Sequence, residues 1–577
     1  MKYRCDLPIN ENYLNTILKS RGITDIEKFL HPTKDNLLSP YDLDNIVDGA
    51  KLLIRHIDQG SNILLIVDSD QDGFTSAAML YNYINHITIQ EKPITFWLHN
   101  GKQHGLEDMI DKIEENPIFN LVILPDSSSN DYEYHKRLAE LSIDCLVIDH
   151  HEAEKYSEYA CVINNQLSKN YSNKTLSGAG VVYKFLQVLD DLLLNTPQAD
   201  EYLDLAAVGL IGDMMDINNL ETRYIICQGL SNIKNNCLEE LINKQSFSIK
   251  DRDNITPTDV SFYITPLVNA LIRVGRQSEK ETLFKAFVDG KEMIPKISRN
   301  KVVEGQFESR GEQNARNCVN ARSRQNRALD KAIEKIEFDI LKNSLNDNKI
   351  IISEIDDDKI DSTLTGLLAM KIMAKYHKPV LLGRVNDKGI FKGSARGESK
   401  SALKDLRQFL IDSKYFEYAE GHAMAFGHSI PYNKIEAFTK YANEQLKDID
   451  FSEGVYDVDF IINSQNIEIL NDIIMELGGF TEIWGKSVEE PLIIIEDLLI
   501  KKADCSVCGS NNDTVRIQYN GVTYIAFKAK ELIEQISDKE AFSITILGTP
   551  NINEWMGNQI PQIMIRDFEI ANNILDF

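Results

Sequence analysis

Ile63-Leu64-Leu65-Ile66-Val67-Asp68-Ser69-Asp70-Gln71-Asp72-Gly73-Phe74-Thr75-Ser76 is the stretch that decides how the chain is read. Its five apolar residues predict a buried strand, three carboxylates follow at i, i+2 and i+4, and a helix is expected to open at Thr75. In an open parallel sheet the ligand crevice lies beyond the carboxyl ends of the strands, where these aspartates fall. Carboxylates this close raise one another's pKa unless a cation neutralises them, and a divalent metal does so economically. Taken alone, the stretch also reads as a solvated acidic turn.

Further strand-like runs at 94–98, 120–124 and 145–148 alternate with helical segments, the pattern of βαβ units and a parallel sheet. Two of them end in Leu124-Pro125-Asp126 and Ile148-Asp149-His150-His151, and Asp213 follows an apolar helix expected over 203–211. A lone histidine is more often a core or surface residue. Two adjacent ones directly after Val-Ile-Asp point to metal, and imidazole beside carboxylate suits Mn, Zn or Fe better than Mg or Ca alone.

At 577 residues the chain has room for three to five domains, at roughly 100–200 residues each. The first residues lack the apolar core of a secretory signal, and no run approaches the 18 or so apolar residues of a membrane span. Eight scattered cysteines make no disulfide framework, so a reducing, cytoplasmic setting is expected. The formal charge of −26 runs against the basic footprint of nucleic-acid binding and favours small phosphate substrates, without excluding a local basic groove.

Four ordered motifs carry a resemblance to the DHH phosphoesterase superfamily, specifically its RecJ-type single-strand-specific exonucleases. They are Asp68-x-Asp70-x-Asp72-Gly73-x-Thr75-Ser76, Asp126, Asp149-His150-His151, and Asp213 at the end of 205–213. Leu176-Ser177-Gly178-Ala179-Gly180, Asn164-Asn165-Gln166 and Glu221-Thr222-Arg223 support them. Pro266-Leu267-Val268-Asn269-Ala270 also fits, although the segment through Arg273 to Arg276 is longer than the family pattern.

The resemblance implies a multidomain α/β fold. An N-terminal cap (1–45) would precede a parallel-sheet DHH domain (46–300) and a long linking helix (301–345). A smaller α/β DHH-associated substrate-binding domain (346–450) and an OB-like β-barrel (451–577) would follow. It further implies two divalent ions, Mn2+ before Mg2+, with Asp126 bridging and Asp68, Asp70, Asp72, His150 and Asp213 as the other ligands. Which of the first three aspartates stands behind the ligands is left open. Asp149 would orient an imidazole and His151 would manage a proton, while Asn269, Arg273 and Arg276 would meet substrate.

Phe391-Lys392-Gly393-Ser394-Ala395-Arg396-Gly397 and Gly421-His422 resemble the substrate-binding segments of the associated domain, which places Lys392, Ser394, Arg396 and His422 on phosphates. Glu420 stands where that domain carries the first Gly of Gly-Gly-His. From Gln313 to Leu329 there is no acid, while Arg316, Arg322, Arg324 and Arg327 are present, so this helix reads either as a solvated connector or as a phosphate tracker. Alternating residues on either side of Asn520-Gly521 predict a hairpin within the OB-like part. Cys505-Ser506-Val507-Cys508 lacks the partners of a four-ligand zinc site.

The activity implied is 5′→3′ degradation of single-stranded DNA to mononucleotides. Its partners would be that DNA and a single-strand-binding protein or a recombination or repair helicase, with no membrane. The alternative is a nanoRNase-like or cyclic-dinucleotide phosphodiesterase, and a non-catalytic relative is a third class that the intact metal motifs disfavour.

Overall fold

The computed structural model describes residues 1–9, 12–88, 94–101, 103–193, 197–249, 251–298, 301–355, 360–398, 400–451, 454–509, 511–555 and 558–571. The last residues of the expected barrel, 572–577, lie outside that set. The chain divides into two compact units. One is Gly22–Gln325 with Thr481–Glu489, and the other is Met1–Arg21 with Asn326–Phe480 and Glu490–Phe577.

In the first unit α1 (Ile46–Asp58) leads into β1 (Ile63–Val67), whose five residues are all buried. Such a run lacks the in-out alternation of a half-exposed strand because helices cover both faces of a parallel sheet. The next helix, α2 (Gln71–Ile87), opens four residues earlier than the expected Thr75. Asp70 is the reason: its backbone is extended and its Oδ1 accepts the Gly73 N–H at 3.0 Å. An aspartate at the N-cap satisfies a donor that the helix itself cannot, so winding starts at once and Asp72 falls in the first turn.

β2 (Thr95–Leu98), β3 (Leu121–Pro125), α3 (Tyr132–Glu140), β4 (Asp144–Asp149) and β5 (Cys161–Asn164) follow. The five strands lie in the order β2-β1-β3-β4-β5, all parallel. That order reverses direction between β1 and β3, and open α/β sheets bind ligands at such a point. Leu64, Ile66, Val122, Leu124 and Val147 join Met109, Ile110, Ile113 and Phe119 in one core. Fully burying each large apolar side chain contributes about 1.5–3 kcal/mol, which holds the strand ends in place.

α4 (Gly178–Leu193), α5 (Leu203–Gly212) and α6 (Leu220–Ser231) come next. Eight of the ten residues of α5 are buried, as expected of a helix apolar on every side. Lys184 of α4 and Glu221 of α6 form an ion pair at 3.0 Å with both side chains out of water. Tyr171 and Asn173 donate to the remaining Glu221 oxygen, at 2.7 and 3.0 Å, so both carboxylate oxygens have partners. α7 (Thr265–Val274), α8 (Gln277–Val288) and the hairpin β6 (Met293–Ser298) with β7 (Lys301–Ser309) lead into α9 (Arg310–Lys342), whose residues divide between the two units.

The second unit holds two sheets. β8 (Ile351–Glu354), α10 (Thr365–Tyr376), β9 (Val380–Val385), β10 (Ile390–Arg396), β11 (Tyr418–His422) and β12 (Ala425–Pro431) make a mixed sheet in the order β11-β12-β10-β9-β8. β13 (Phe460–Ile462), β14 (Ile493–Lys501), β15 (Cys505–Cys508), β16 (Thr514–Tyr519), β17 (Val522–Ala526), β18 (Ala541–Trp555) and β19 (Asn558–Ile570) form a seven-stranded sheet, mostly antiparallel. The expected hairpin is β16–β17, and Asn520 and Gly521 both take positive φ, 48° and 78°, as a two-residue turn of this hand requires. Cys505 and Cys508 sit three apart on one strand, so their side chains leave opposite faces and cannot share a zinc ion. Among the described residues no helix is long and apolar enough to cross a membrane.

Candidate metal centre

At the point where the sheet order reverses, three strand ends and one helix end bring their acids together. β1 delivers Asp68 directly and Asp70 and Asp72 on the turn into α2; β3 delivers Asp126, β4 Asp149, His150 and His151, and the end of α5 Asp213. Donor atoms of Asp126, Asp149, His150 and His151 lie within 4.8 Å of one another, as do those of Asp72, His150 and Asp213, and those of Asp68, Asp70 and Asp126. Asp126 and His150 each belong to two of these groups. His150 Nε2 is 3.2 Å from Asp126 Oδ1 and 3.5 Å from Asp213 Oδ2.

The backbone is shaped around these groups. Asp126 has φ of 66°, a left-handed conformation that L-residues adopt at a cost, and its N–H is held by the Ile148 carbonyl at 2.8 Å. A methyl group at Gly178 would collide with the Asp126 carboxylate, and one at Gly209 with that of Asp72. Asp72 is fixed by the start of α4, accepting from Ser177 Oγ at 2.9 Å, Gly178 N at 2.6 Å and Ala179 N at 3.1 Å.

Electrostatically the cluster asks for cations. Burial, followed by the charges of Asp72 and Asp70, pushes Asp126 well above the ordinary carboxylate range, and burial with the same two neighbours lifts Asp213 to about 8. Asp68 and Asp72 are also raised, chiefly by burial. Asp68 Oδ1 and Asp126 Oδ1 are buried and accept no hydrogen bond. Buried carboxylate oxygens with no donor are costly by themselves and are what a hard divalent cation binds. The donor set therefore fits the cations that the sequence implies.

Asp149 is different. Burial works to raise it, but the His151 Nδ1 at 2.7 Å, the charges of His151 and His150 and the Ser129 side chain hold it far below the ordinary range. In return, burial opposes the His151 cation while Asp149 lifts it to about 10. The two form a pair at the rim, with Asp149 buried and His151 half-exposed.

The expected substrate residues distribute unevenly. Burial lowers Arg273 of α7, Asp70 pulls it back up and Arg322 lowers it further, so its guanidinium lies within electrostatic reach of Asp70 and of a second arginine. Asn269 is one turn earlier on the same helix. Arg276, in contrast, is taken by Glu279 at 3.3 Å. In the other unit Lys392, Ser394 and Arg396 alternate along β10 and so share a face. Arg396 lies against the start of α10, its guanidinium over Gly366, where a methyl group would displace it, and Lys392 Nζ sits 5.8 Å over the Tyr418 ring. His422 is exposed at the end of β11, after Gly421 with φ of 128°.

Two of the four arginines singled out on α9 carry acid partners. Arg316 is bound by both oxygens of Glu308, each at 2.6 Å, and Arg324 by Glu279 at 2.8 Å. The 313–329 stretch of the helix is acid-free along the chain only, since β7 and α8 supply acids to it through space. Arg322 keeps a neutral partner, Gln325 Oε1 at 2.7 Å.

One residue beside the centre escapes the sequence reading. His104 Nδ1 lies 2.6 Å from Asp68 Oδ2. Its only signal is position, in the loop after β2, whose C-terminal end borders β1 on the same sheet edge.

Two family models match, the DHH family N-terminal domain over residues 62–210 and the RecJ OB domain over 459–567. The putative SPbeta prophage-derived single-strand DNA-specific exonuclease YorK of Bacillus subtilis is 39% identical over 580 residues, covering 99% of this chain and 98% of that protein. The single-stranded-DNA-specific exonuclease RecJ of the same organism is 25% identical, covering 96% of this chain and 68% of that one. Among solved structures, Mn2+-bound RecJ of Thermus thermophilus shares the fold with a TM-score of 0.71 at 19% identity, over 97% of this chain and 76% of that one. With a relative this similar over nearly the whole of both sequences, and two domain models in matching order, the chain belongs to the RecJ family of the DHH superfamily.

Proposed function

We propose that this chain hydrolyses single-stranded DNA from its 5′ end, releasing mononucleotides, with divalent cations in the acid cluster. The observation that carries the reading is the crowding of five buried or half-buried aspartates and His150 at the β1–β3 reversal, two of whose carboxylate oxygens accept no hydrogen bond. Asp68, Asp70, Asp72, Asp126, His150 and Asp213 would hold two ions, Mn2+ first and Mg2+ second, and the membership of Asp126 in two donor groups supports its bridging role. Bound there, the ions would lower the pKa of a water and offset charge on the attacking and leaving oxygens.

The chain's own groups do the rest. Asp149 fixes the His151 ring through Nδ1, which leaves Nε2 as the ring atom that exchanges a proton with solvent or leaving group. Arg273 brings a positive charge to the cluster's edge, suited to a terminal phosphate. Lys392, Ser394, Arg396 and His422 form a second set of phosphate donors. A single-strand-binding protein or a repair helicase is the partner that the reading implies. The matched OB domain supports long strands over dinucleotides or cyclic dinucleotides, because a strand-binding barrel has no use on a two-nucleotide substrate.

The test uses 5′- and 3′-labelled single-stranded DNA and RNA with Mn2+, Mg2+ or EDTA. Mononucleotides should appear from the 5′ end of DNA with Mn2+, and Asp126→Ala should lower the rate by more than about a hundredfold while folding normally. Cleavage that persists in EDTA or in Asp126→Ala would overturn the assignment.

A further inference from the structure

The loop after β2 brings His104 to the acid cluster, and His104 is not among the donors assigned above. Asp68 is 1% exposed; its Oδ2 meets His104 Nδ1 at 2.6 Å and its Oδ1 accepts no hydrogen bond. The loop is anchored where it carries this residue. His99 Nδ1 is tied to Asp108 Oδ1 at 2.7 Å, Leu106 N donates to Asp131 Oδ2 at 2.9 Å, and Ser128 Oγ donates to the same oxygen at 2.7 Å. Gly105, next to His104, has φ of 66° and no room for a methyl group against Asp131. A surface histidine that had drifted onto a carboxylate would have no need of this scaffold, which ties the His104 loop to the loop bearing Asp126.

We propose that His104 is a positioning residue for Asp68. Its Nδ1–H donates to Oδ2, stops the carboxylate from rotating, and keeps the other oxygen for a cation shared with Asp70 and Asp126, whose donor atoms lie within 4.8 Å of that of Asp68. Ligating carboxylates are commonly held by such outer hydrogen bonds, and loss of one typically weakens metal binding by about 10–100-fold. The inference rests on the metal reading above.

The experiment is a calorimetric Mn2+ titration of the full chain, with free Mn2+ followed by electron paramagnetic resonance. Wild type should take up two ions. His104→Phe, which keeps a ring and loses the donor, should bind one of them about 10–100-fold more weakly. His104→Asn, whose amide N–H can stand near the place of Nδ1, should recover most of that loss. All three should remain folded in EDTA at the titration temperature, since the His104 side chain is 48% exposed, with His104→Phe melting somewhat earlier because the buried Asp68 oxygen loses a donor. Wild-type affinity in His104→Phe, or an equal loss in His104→Asn, would overturn the positioning role, as would a His104→Phe that is unfolded in EDTA at the titration temperature. A wild type that takes up no Mn2+ would instead overturn the metal reading itself.

Discussion

His428 shows how much a single buried ring can cost. It is fully buried on β12 between Phe391 and Phe416, and neither ring nitrogen finds a hydrogen-bond partner of good geometry. Burial pushes it down to about 4, against a weak pull from the Leu382 carbonyl. Because the unfolded chain keeps an ordinary value of about 6.5, it binds more protons than the folded one between these limits. Stability from this residue is whole above pH 6.5 and falls as pH drops toward 4, by about 3 kcal/mol at the lower end. His428→Leu should remove that decline. Hydrogen exchange of the β10 and β12 amides in both proteins, from pH 7 to 4.5, measures it; identical pH trends would refute the account.

At the scale of elements, the strand ends are legible in sequence and the loops are not. β1, β3 and β4 announce themselves as apolar runs bounded by acids or histidines, because a strand covered on both faces has little freedom in composition. The opening of α2 is harder to place because capping is decided by one side chain, Asp70, whose acidity in sequence speaks only of chemistry. His104 has no periodicity to reveal it, and only the neighbouring of β1 and β2 gives it meaning. The arginines of α9 mislead for a third reason: Glu308 and Glu279 neutralise two of them across space, and sequence distance is blind to that. Arg322 and Arg316 should therefore behave differently on DNA. Arg322→Ala should lower single-strand affinity and make the logarithmic salt slope shallower by about 0.7 for each phosphate that is no longer neutralised. Arg316→Ala should leave the slope unchanged, its charge being already spent on Glu308. Equal slopes for the two variants would remove α9 from the DNA path.

For the whole molecule, a formal charge of −26 means that long-range attraction cannot bring DNA in, so binding has to come from local contacts. Affinity for the full chain should then climb with strand length up to the order of 10 nucleotides, since one OB-fold covers about 4–16, and level off beyond. Fluorescence anisotropy with oligonucleotides of 2 to 30 residues reads this directly. A dinucleotide bound and cleaved as well as a long strand would favour the small-substrate alternative.

The short segment Thr481–Glu489 bears on how such a protein can be inherited. It is flanked on both sides by the second unit yet belongs to the first, where Arg223 donates to the Glu482 carbonyl at 2.7 Å and Gly485 packs on Ile217, four residues beyond Asp213. The polypeptide thus passes between units at 21/22, 325/326, 480/481 and 489/490. A recombination event that copied the C-terminal part as a cassette would tear out a stitch belonging to the catalytic half.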